Sequence, residues 1–311
     1  MNKPDERIVA LGPGAMGCLF AALLKKGGQD VVLLDHHPDR AAQINRQGII
    51  LERSGRQETV AVPATADPAA AGPARLVIVC VKAYDTAAAA LTAAVAGPDA
   101  EVLSLQNGLG NVEALVAAFG SERVLGGTTA QGANLAGPGH VRHAGVGETV
   151  IGEPGGGTAR ARRVAEIFDA CGIPTRVTDD LEAVIWSKVV INAAINALTA
   201  LLKVKNGALA QAPAARALME EAAAEAAAVA AARGVRLSYP DPRAKAVAVA
   251  EATAENISSM HADARAKRRT EIEQINGAVA AEAERLSVPA PVNRALAALV
   301  RAMEQSYDRS F

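Results

Sequence analysis

The stretch Arg7–Gly17, RIVALGPGAMG, decides the fold of the first half of this chain. A short apolar run ends at Gly12, and the helical composition of Ala15–Lys26 follows. In a GxGxxG turn between a strand and a helix, the first glycine permits the tight turn, the second lets the backbone approach a pyrophosphate, and the third allows close helix packing. The helix N-terminus favours the negative charge of the phosphates. The residues that we predict to bind a dinucleotide here are Gly12, Pro13, Gly14, Ala15, Met16 and Gly17.

Asp35 follows the predicted second strand, Asp30–Leu34, about 20 residues after the glycines. A carboxylate at the end of this strand accepts hydrogen bonds from the ribose hydroxyls of NAD and repels the 2′-phosphate of NADP. The sequence therefore predicts a preference for NADH over NADPH, tempered by nearby cations such as Arg40. The alternative is that Asp35 only caps the loop before a helix at Asp39–Gln47.

Apolar runs and helical stretches alternate through the rest of the first half, which indicates a parallel α/β sheet. The runs Leu76–Val81 and Val102–Leu105 flank the helical stretch Thr86–Ala96. We expect short strands around Val141 and Val150 to extend the same sheet. A helix at Ala159–Ala170 and a last strand at Thr175–Thr178 complete this half.

After Thr178 almost the whole chain has helical composition. Amphipathic, alanine-rich stretches are predicted as helices at Ala214–Arg233, Arg243–Ile257 and Thr270–Leu286. The predicted fold is an α/β Rossmann-type doubly wound sheet domain over residues 1–178, followed by an all-α domain over residues 179–311.

The composition excludes several classes of partner. Lys and Arg number 32 against 33 Asp and Glu, and aromatic residues make up 3%, which argues against a nucleic-acid partner. The three cysteines, Cys18, Cys80 and Cys171, lack the spacing of a metal site or a disulfide framework, and we read them as reduced, mostly buried thiols. The start lacks the pattern of a signal peptide, and Val189–Leu202 is read as a buried helix too short to span a membrane. We therefore expect a cytoplasmic protein without a metal.

A polar stripe runs along an otherwise apolar helix in the segment Trp186–Thr199. At roughly 100° per residue, Lys188, Asn192, Asn196 and Thr199 lie within about 80° of one another. A lysine in apolar surroundings is costly unless an anion meets it, and burial lowers its proton affinity, as a general acid requires. The alternative is that Lys188 reaches water and the asparagines bond to neighbouring backbone.

A second polar cluster covers Asn256–Asp263 and Thr270–Glu273. Thr270 and Glu273 have the spacing of a capping box, which predicts a helix start with Glu271 in the first turn. From spacing alone, Glu271 is expected only to interact favourably with the helix dipole. Ser259 is expected only to lie at a break between two helices.

Taken together, these segments resemble the ketopantoate reductase family. The motifs that carry the resemblance cover almost the whole chain in the family's order: GPGAMG, VKAYDT at Val81–Thr86, QNGLG at Gln106–Gly110, WSKVVINAAINALTAL at Trp186–Leu201, and SSM followed by TEIEQING. The lysine with two asparagines at four-residue intervals is the most specific of them.

The resemblance implies reduction of the small keto acid 2-dehydropantoate to pantoate on the route to coenzyme A, with NADPH as the usual cofactor. It implies that Lys188 is the general acid and that Glu271 lies where cofactor, substrate and lysine meet. Besides the glycine loop and Asp35, the implied cofactor residues are Lys82, Asn107, Ala133 and Glu271. The implied substrate residues are Asn107, Asn192, Asn196, Asn206 and Ser259. Where the family usually carries an arginine for the 2′-phosphate, this sequence has Asp35-His36-His37.

Other functions stay open at this point. A reductase of the same fold could act on a different 2-keto or 3-keto acid. A redox-sensing NAD-binding module without turnover would not need Lys188 together with Glu271. Opine-type dehydrogenases would require a His–Asp pair in the second domain, where His261 is the single histidine. The sequence leaves a homodimer open and does not specify the oligomeric state.

Overall fold

The computed structural model describes residues 6–308, which divide into two compact units. The first unit contains the chain up to Gln106 together with Asn111–Leu181. The second contains the loop Asn107–Gly110 together with the chain from Glu182 onward. The boundary predicted from the sequence, between residues 178 and 179, had assigned this loop to the first domain.

In its described part, the first unit has twelve strands in two sheets, with six α-helices. In chain order the strands are β1 (Ile8–Leu11), β2 (Val31–Leu34), β3 (Ile49–Arg53), β4 (Arg56–Val60), β5 (Ala64–Thr65), β6 (Leu76–Val79), β7 (Glu101–Ser104), β8 (Val124–Thr129), β9 (Gly132–Gly137), β10 (His140–Gly145), β11 (Thr149–Gly152) and β12 (Thr175–Thr178). The helices are α1 (Ala15–Lys26), α2 (Pro38–Gln47), α3 (Pro68–Ala71), α4 (Thr86–Ala93), α5 (Asn111–Phe119) and α6 (Ala159–Ala170).

The large sheet has the strand order β12-β11-β8-β7-β6-β1-β2-β5. All its neighbouring strands are parallel except β8 and β11. Ile8 and Ala10 of β1 belong to one hydrophobic core and Val9 and Leu11 to another, because alternate side chains point to opposite faces. The chain runs from β1 outward to β2 and β5 and then crosses back to β6, so β1 and β6 form the switch point at which doubly wound sheets bind ligands. The predicted Rossmann-type class is confirmed.

The expectation that the strands around Val141 and Val150 both extend this sheet is wrong in part. β11, which contains Val150, pairs with β8 in the large sheet, whereas β10, which contains Val141, lies in a separate sheet of order β4-β3-β10-β9. The hairpin β3–β4 was not predicted. Its signal is the Ser54-Gly55 turn after the apolar run Ile49–Leu51; both turn residues have positive φ (51° and 75°) in the structure.

In its described part, the second unit is helical. Its elements are α7 (Leu181–Leu202), whose first residue belongs to the first unit, α8 (Asn206–Gln211), α9 (Pro213–Ala232), α10 (Pro242–Ala252), α11 (Ser259–Arg265), a π-turn (Glu273–Gly277), α12 (Ala278–Arg285) and α13 (Pro291–Gln305). Proline occupies the first turn of α9, α10 and α13, where its missing N–H costs no intrahelical bond.

α7 is the core helix of the second unit. It begins at Leu181, so the expectation that this segment is too short to span a membrane is wrong: its 22 residues suffice by length and composition. Burial decides its role, because 67% of its most apolar window is buried inside the protein. Val190, Ala193 and Ala197 on this helix are completely buried in the main core of the unit.

The predicted capping box at Thr270 and Glu273 is wrong. The hydroxyl of Thr270 accepts the N–H of Ile272 at 3.2 Å, and the Thr270 N–H donates to Glu304 Oε1 at 2.8 Å instead of to Glu273. The carboxylate of Glu273 is bound by the guanidinium of Arg301. Partners on α13 thus replace the local bonds, and the helix expected from Thr270 begins instead with the π-turn.

The packing of the first unit predicts a test of its core. Phe20 and Phe168 are both completely buried, with ring centroids 5.5 Å apart. We expect Phe168→Ala to lower the free energy of unfolding by about 3–5 kcal/mol, because it removes ring contacts and leaves a cavity. Leu91→Ala is the control, since this side chain is 80% exposed and its loss should change stability by less than about 0.5 kcal/mol. Urea unfolding followed by circular dichroism measures both, and equal effects would contradict the assignment of this core.

Candidate active site

The glycine loop of the first unit needs glycine at its first and third positions. Gly12 has a φ of +102°, and a Cβ there would lie 2.8 Å from Val81 Cγ1. A Cβ on Gly17 would lie 1.9 Å from the carbonyl oxygen of Gly12. The turn and the close approach of α1 therefore exclude any side chain at both positions.

The second glycine leaves room for a ligand at the start of α1. Within residues 6–308, a Cβ on Gly14 would meet a single neighbouring atom within 4 Å, Cys80 O at 3.9 Å. Gly14 is also the N-cap of α1, where no side chain caps the helix and no acidic residue stands in the first turn. Open backbone N–H groups at the positive end of a helix suit an anion, so these residues fit the pyrophosphate of a dinucleotide.

Several predicted cofactor residues follow parallel strands of the large sheet. Gly12 comes after β1, Asp35 after β2 and Lys82 after β6, so all three lie at the carboxyl edge of the sheet. Ala133 stands elsewhere, on β9 of the small sheet, opposite His143. Gln106, which sequence reasoning missed, follows β7 and donates to Val81 O at 2.9 Å, joining the loops after β6 and β7.

The carboxylate of Asp35 is buried and already has partners. The N–H of His37 donates to its Oδ1 at 3.0 Å, and the guanidinium of Arg40 donates to both of its oxygens. Burial alone would raise the pKa of Asp35, but the bonds from Arg40 and His37 outweigh it and hold the pKa below its usual value. Asp35 is therefore an ionised group that caps the loop into α2 and forms an ion pair.

In the second unit, the polar stripe of α7 becomes more buried along the helix. Lys188 and Asn192 are half-buried, Asn196 is 6% exposed and Thr199 is completely buried. The hydroxyl of Thr199 donates to Ile195 O at 2.9 Å and shares a 2.7 Å hydrogen bond with the hydroxyl of Ser258. Thr199, at the end of the stripe, is thus structural, whereas Lys188 and Asn192 are the members most accessible to a ligand.

Lys188 has the electrostatics of a proton donor. Burial lowers the pKa of its ammonium to about 8, and the charge of Glu271 opposes that decrease. At neutral pH the group remains protonated, yet it releases its proton more readily than an exposed lysine.

The structure brings Glu271 and Asn107 together across 164 positions of the chain. Glu271 is 5% exposed, and the amide Nδ2 of Asn107 donates to its Oε2 at 3.3 Å. With the effect of Glu271 on Lys188, three sequence-predicted residues form one electrostatic group, which we call the Lys188–Glu271–Asn107 group. It joins an ammonium of lowered pKa, a carboxylate and an amide, and such a group can deliver the proton that reduction of a carbonyl group consumes.

Asn206 and Ser259 are the first residues of α8 and α11. Asn206 donates through Nδ2 to Thr253 Oγ1 at 2.9 Å, while its buried Oδ1 has no hydrogen-bond partner among the described residues. Ser259 is exposed, and the cap of α11 is its neighbour Ser258, whose hydroxyl accepts the N–H of His261 at 3.1 Å.

His261 has a structural role. Its Nδ1 bonds to Val204 O at 3.0 Å, and burial lowers its pKa, so the ring is neutral at physiological pH. The carboxylate of Asp263 is bound by Arg268 at 2.9 Å. These partners give no support to a catalytic His–Asp pair at His261.

Comparisons with known proteins agree along the whole chain. The family described as ketopantoate reductase PanE/ApbA matches residues 8–156, and its C-terminal counterpart matches residues 180–304. The 2-dehydropantoate 2-reductase of Halobacterium salinarum is 41% identical, covering 95% of this chain and 98% of the relative. That of Archaeoglobus fulgidus is 39% identical, with coverage of 96% and 98%.

Solved structures show the same similarity. A PanE/ApbA family ketopantoate reductase from Ralstonia eutropha superposes with a TM-score of 0.87 at 36% identity, covering 96% of this chain and 98% of the other. D-mandelate dehydrogenase with NADH and anilino(oxo)acetate gives a TM-score of 0.90 at 26% identity, with coverage of 97% and 99%. The chain therefore belongs to the ketopantoate reductase family of nicotinamide-dependent oxidoreductases.

Proposed function

We propose that this protein reduces 2-dehydropantoate to pantoate, with Lys188 as the general acid. The observation that carries the proposal is the half-buried lysine on α7, whose pKa is lowered to about 8 and whose charge is balanced by Glu271. The full-length similarity to reductases named for this reaction supports the choice of substrate.

Each unit takes one part of the reaction in this proposal. The glycine loop and the N-terminus of α1 hold the dinucleotide, which supplies the hydride when bound. In the second unit, Lys188 Nζ gives its proton to the carbonyl oxygen of the keto acid. Glu271, itself held by Asn107, keeps the ammonium in place, and the amides of Asn192 and Asn196 bind the polar groups of the substrate.

A second candidate is a reductase for an aromatic 2-keto acid. The similarity to D-mandelate dehydrogenase, at a TM-score of 0.90, favours it, although the 2-dehydropantoate 2-reductases are more similar in sequence. Turnover of ketopantoate and of a panel of 2-keto acids that includes phenylglyoxylate, followed by absorbance of the reduced cofactor, distinguishes the two. A protein that binds the cofactor and reduces none of them would instead be a binding module.

We also propose that the protein acts in the cytoplasm. Cys18, Cys80 and Cys171 are free thiols, as is usual in a reducing compartment. The substrate partner in this proposal is a small keto acid.

Removal of the Lys188 ammonium should abolish most turnover. We expect Lys188→Ala to lower kcat by roughly 10²–10⁴, because the carbonyl oxygen then lacks its proton donor, with little change in the Kd of the cofactor. Lys205→Ala is the matched control, since Lys205 is exposed and pairs with Glu255 on the surface of the same unit. A Lys188→Ala variant with near wild-type kcat would remove Lys188 from the mechanism.

The rate of reduction should depend on pH through the same group. Lys188 donates only when protonated, so kcat/KM should be constant below its pKa of about 8 and fall as the pH rises through that value. Because the charge of Glu271 raises the pKa of Lys188, Glu271→Gln should move this limb to lower pH. Glu255→Gln, at an exposed carboxylate, is the control. A profile without a limb between about pH 7 and pH 9.5 would contradict the assignment.

We also propose that the protein prefers NADH to NADPH because of the charge of Asp35. Two unit charges at about 4 Å repel by about 4 kcal/mol at an effective dielectric of 20, and Arg40 offsets part of this for a 2′-phosphate. We expect wild-type kcat/KM to favour NADH by roughly tenfold or more, a difference of about 1.4 kcal/mol.

Two substitutions should move the ratio of kcat/KM with NADH to kcat/KM with NADPH in opposite directions. Asp35→Asn removes the charge while its side-chain oxygen can still accept the His37 N–H, so the ratio should move toward NADPH. Arg40→Ala removes the compensating cation and should move it further toward NADH. Equal or better use of NADPH by the wild type, or an Asp35→Asn variant with an unchanged ratio, would reject the preference.

A further inference from the structure

Glu271 lies just before the π-turn Glu273–Gly277, a segment to which the reaction described above gives no role. The N–H of Gly277 donates to Ile272 O at 2.9 Å, the five-residue spacing of a π-helix. Such widened turns are rare and frequently occur at functional sites. The hydrogen bonds of this turn show which segments of the chain it joins.

The first contact of the π-turn is with the loop Asn107–Gly110. The N–H of Leu109 donates to Gln274 O at 2.8 Å. Gly108 has a φ of +89°, and a Cβ there would lie 2.5 Å from the same oxygen, so only glycine lets the loop approach this closely. Because Asn107 bonds to Glu271, the π-turn holds both partners of that hydrogen bond.

The second contact is with α7. The amide Nδ2 of Asn276, the fourth residue of the π-turn, donates to Ala193 O at 2.9 Å. Ala193 adjoins Asn192 on the helix that carries Lys188. Asn276 is completely buried, so this bond is shielded from water and links the Glu271 segment directly to the lysine helix.

A buried network fixes the orientation of the Asn276 amide. Asn276 Nδ2 also donates to Asn293 Oδ1 at 3.0 Å, and Asn293 Nδ2 donates to Glu225 Oε2 at 2.9 Å. The carboxylate of Glu225 accepts the N–H groups of Val292 and Asn293 in the first turn of α13, both at 2.9 Å. If the Asn276 amide were flipped, its Oδ1 would face two other acceptors, the carbonyl oxygen of Ala193 and Oδ1 of Asn293. The network therefore permits one orientation of this amide.

We propose that Asn276 is a positioning residue of the reductase: it fixes Glu271 and Asn107 relative to Lys188 by joining the π-turn to α7. The inference rests on the proposed function, in which the Lys188–Glu271–Asn107 group carries out the proton transfer. Asn276 acts through these residues, and a displacement of about 1 Å at such a group can cost on the order of 10² in rate.

The test compares Asn276→Ala with Asn293→Ala, using purified full-length protein, ketopantoate and NADH. Asn276→Ala removes the bond to α7, and we expect kcat to fall roughly 10–100-fold while the Kd of NADH, measured by its fluorescence, stays within about twofold. Asn293→Ala removes the bonds to Glu225 and Ala222 and one of the two acceptors of Asn276, but it leaves the bond from Asn276 to Ala193, which by itself still disfavours a flipped amide. It should lower Tm at least as much while kcat stays within about threefold of the wild type.

The outcomes separate positioning from stability. Wild-type kcat in Asn276→Ala overturns the proposal, and so does an equal loss of kcat in Asn293→Ala at a similar Tm. If Asn276→Ala does not fold, Asn276→Ser, whose hydroxyl is too short to reach Ala193 O, is measured against the same control and the same criteria apply. A wild type that reduces no keto acid in the panel overturns both this proposal and the proposed function, whereas an active wild type with an unaffected Asn276→Ala overturns this one alone.

Discussion

The structure depends on how a protonated lysine is kept on a core helix. α7 forms the centre of the second unit, and Val189 and Val190 next to Lys188 lie in its hydrophobic core. Taking an ammonium out of water is costly unless a counter-charge is fixed nearby. Glu271 supplies that counter-charge. Its stabilising effect on the ammonium depends on its position, because the pKa of Lys188 falls further when the carboxylate moves away. The elements around Glu271 therefore have to keep its carboxylate near Lys188.

The two units solve opposite electrostatic problems with different means. The first must accept phosphates, and it uses backbone: a turn restricted to glycine and a helix N-terminus without an acidic residue. The second must hold a cation and a carboxylate together, and it uses side chains from distant parts of the chain. Asn107 meets Glu271 across 164 positions, and Asn276 meets Ala193 across 83. Local geometry is sufficient for the first site, and tertiary packing is necessary for the second.

This difference explains what could be predicted from the sequence. Helices α1 and α6 and strand β12 have the predicted bounds, because glycines and apolar periodicity mark them locally. The lysine stripe of α7 was visible for the same reason, since helical spacing alone sets it. The role of Glu271 came from the family resemblance and not from spacing.

The errors arise where distant partners replace local ones. Thr270 and Glu273 have the spacing of a capping box, yet Glu304 and Arg301 on α13 bind the two groups that would have closed it. The resulting π-turn has no local signature in the sequence. The small sheet was missed because β10 pairs with β3, a strand that lies about 90 residues earlier in the chain.

The position of Asp35 is compatible with both interpretations of this residue. The carboxylate caps the loop into α2 through the His37 N–H and at the same time stands at the end of β2, where ribose hydroxyls bind in proteins of this fold. The bonds from His37 and Arg40 occupy three of the about four lone-pair sites of this carboxylate. Its charge, however, is shared with Arg40, whose side chain is 30% exposed and faces an Asp35 side chain that is fully buried. In the proposed preference for NADH, the charge that a 2′-phosphate would encounter is therefore that of the Asp35–Arg40 pair, so Arg40 contributes to the proposed selectivity together with Asp35.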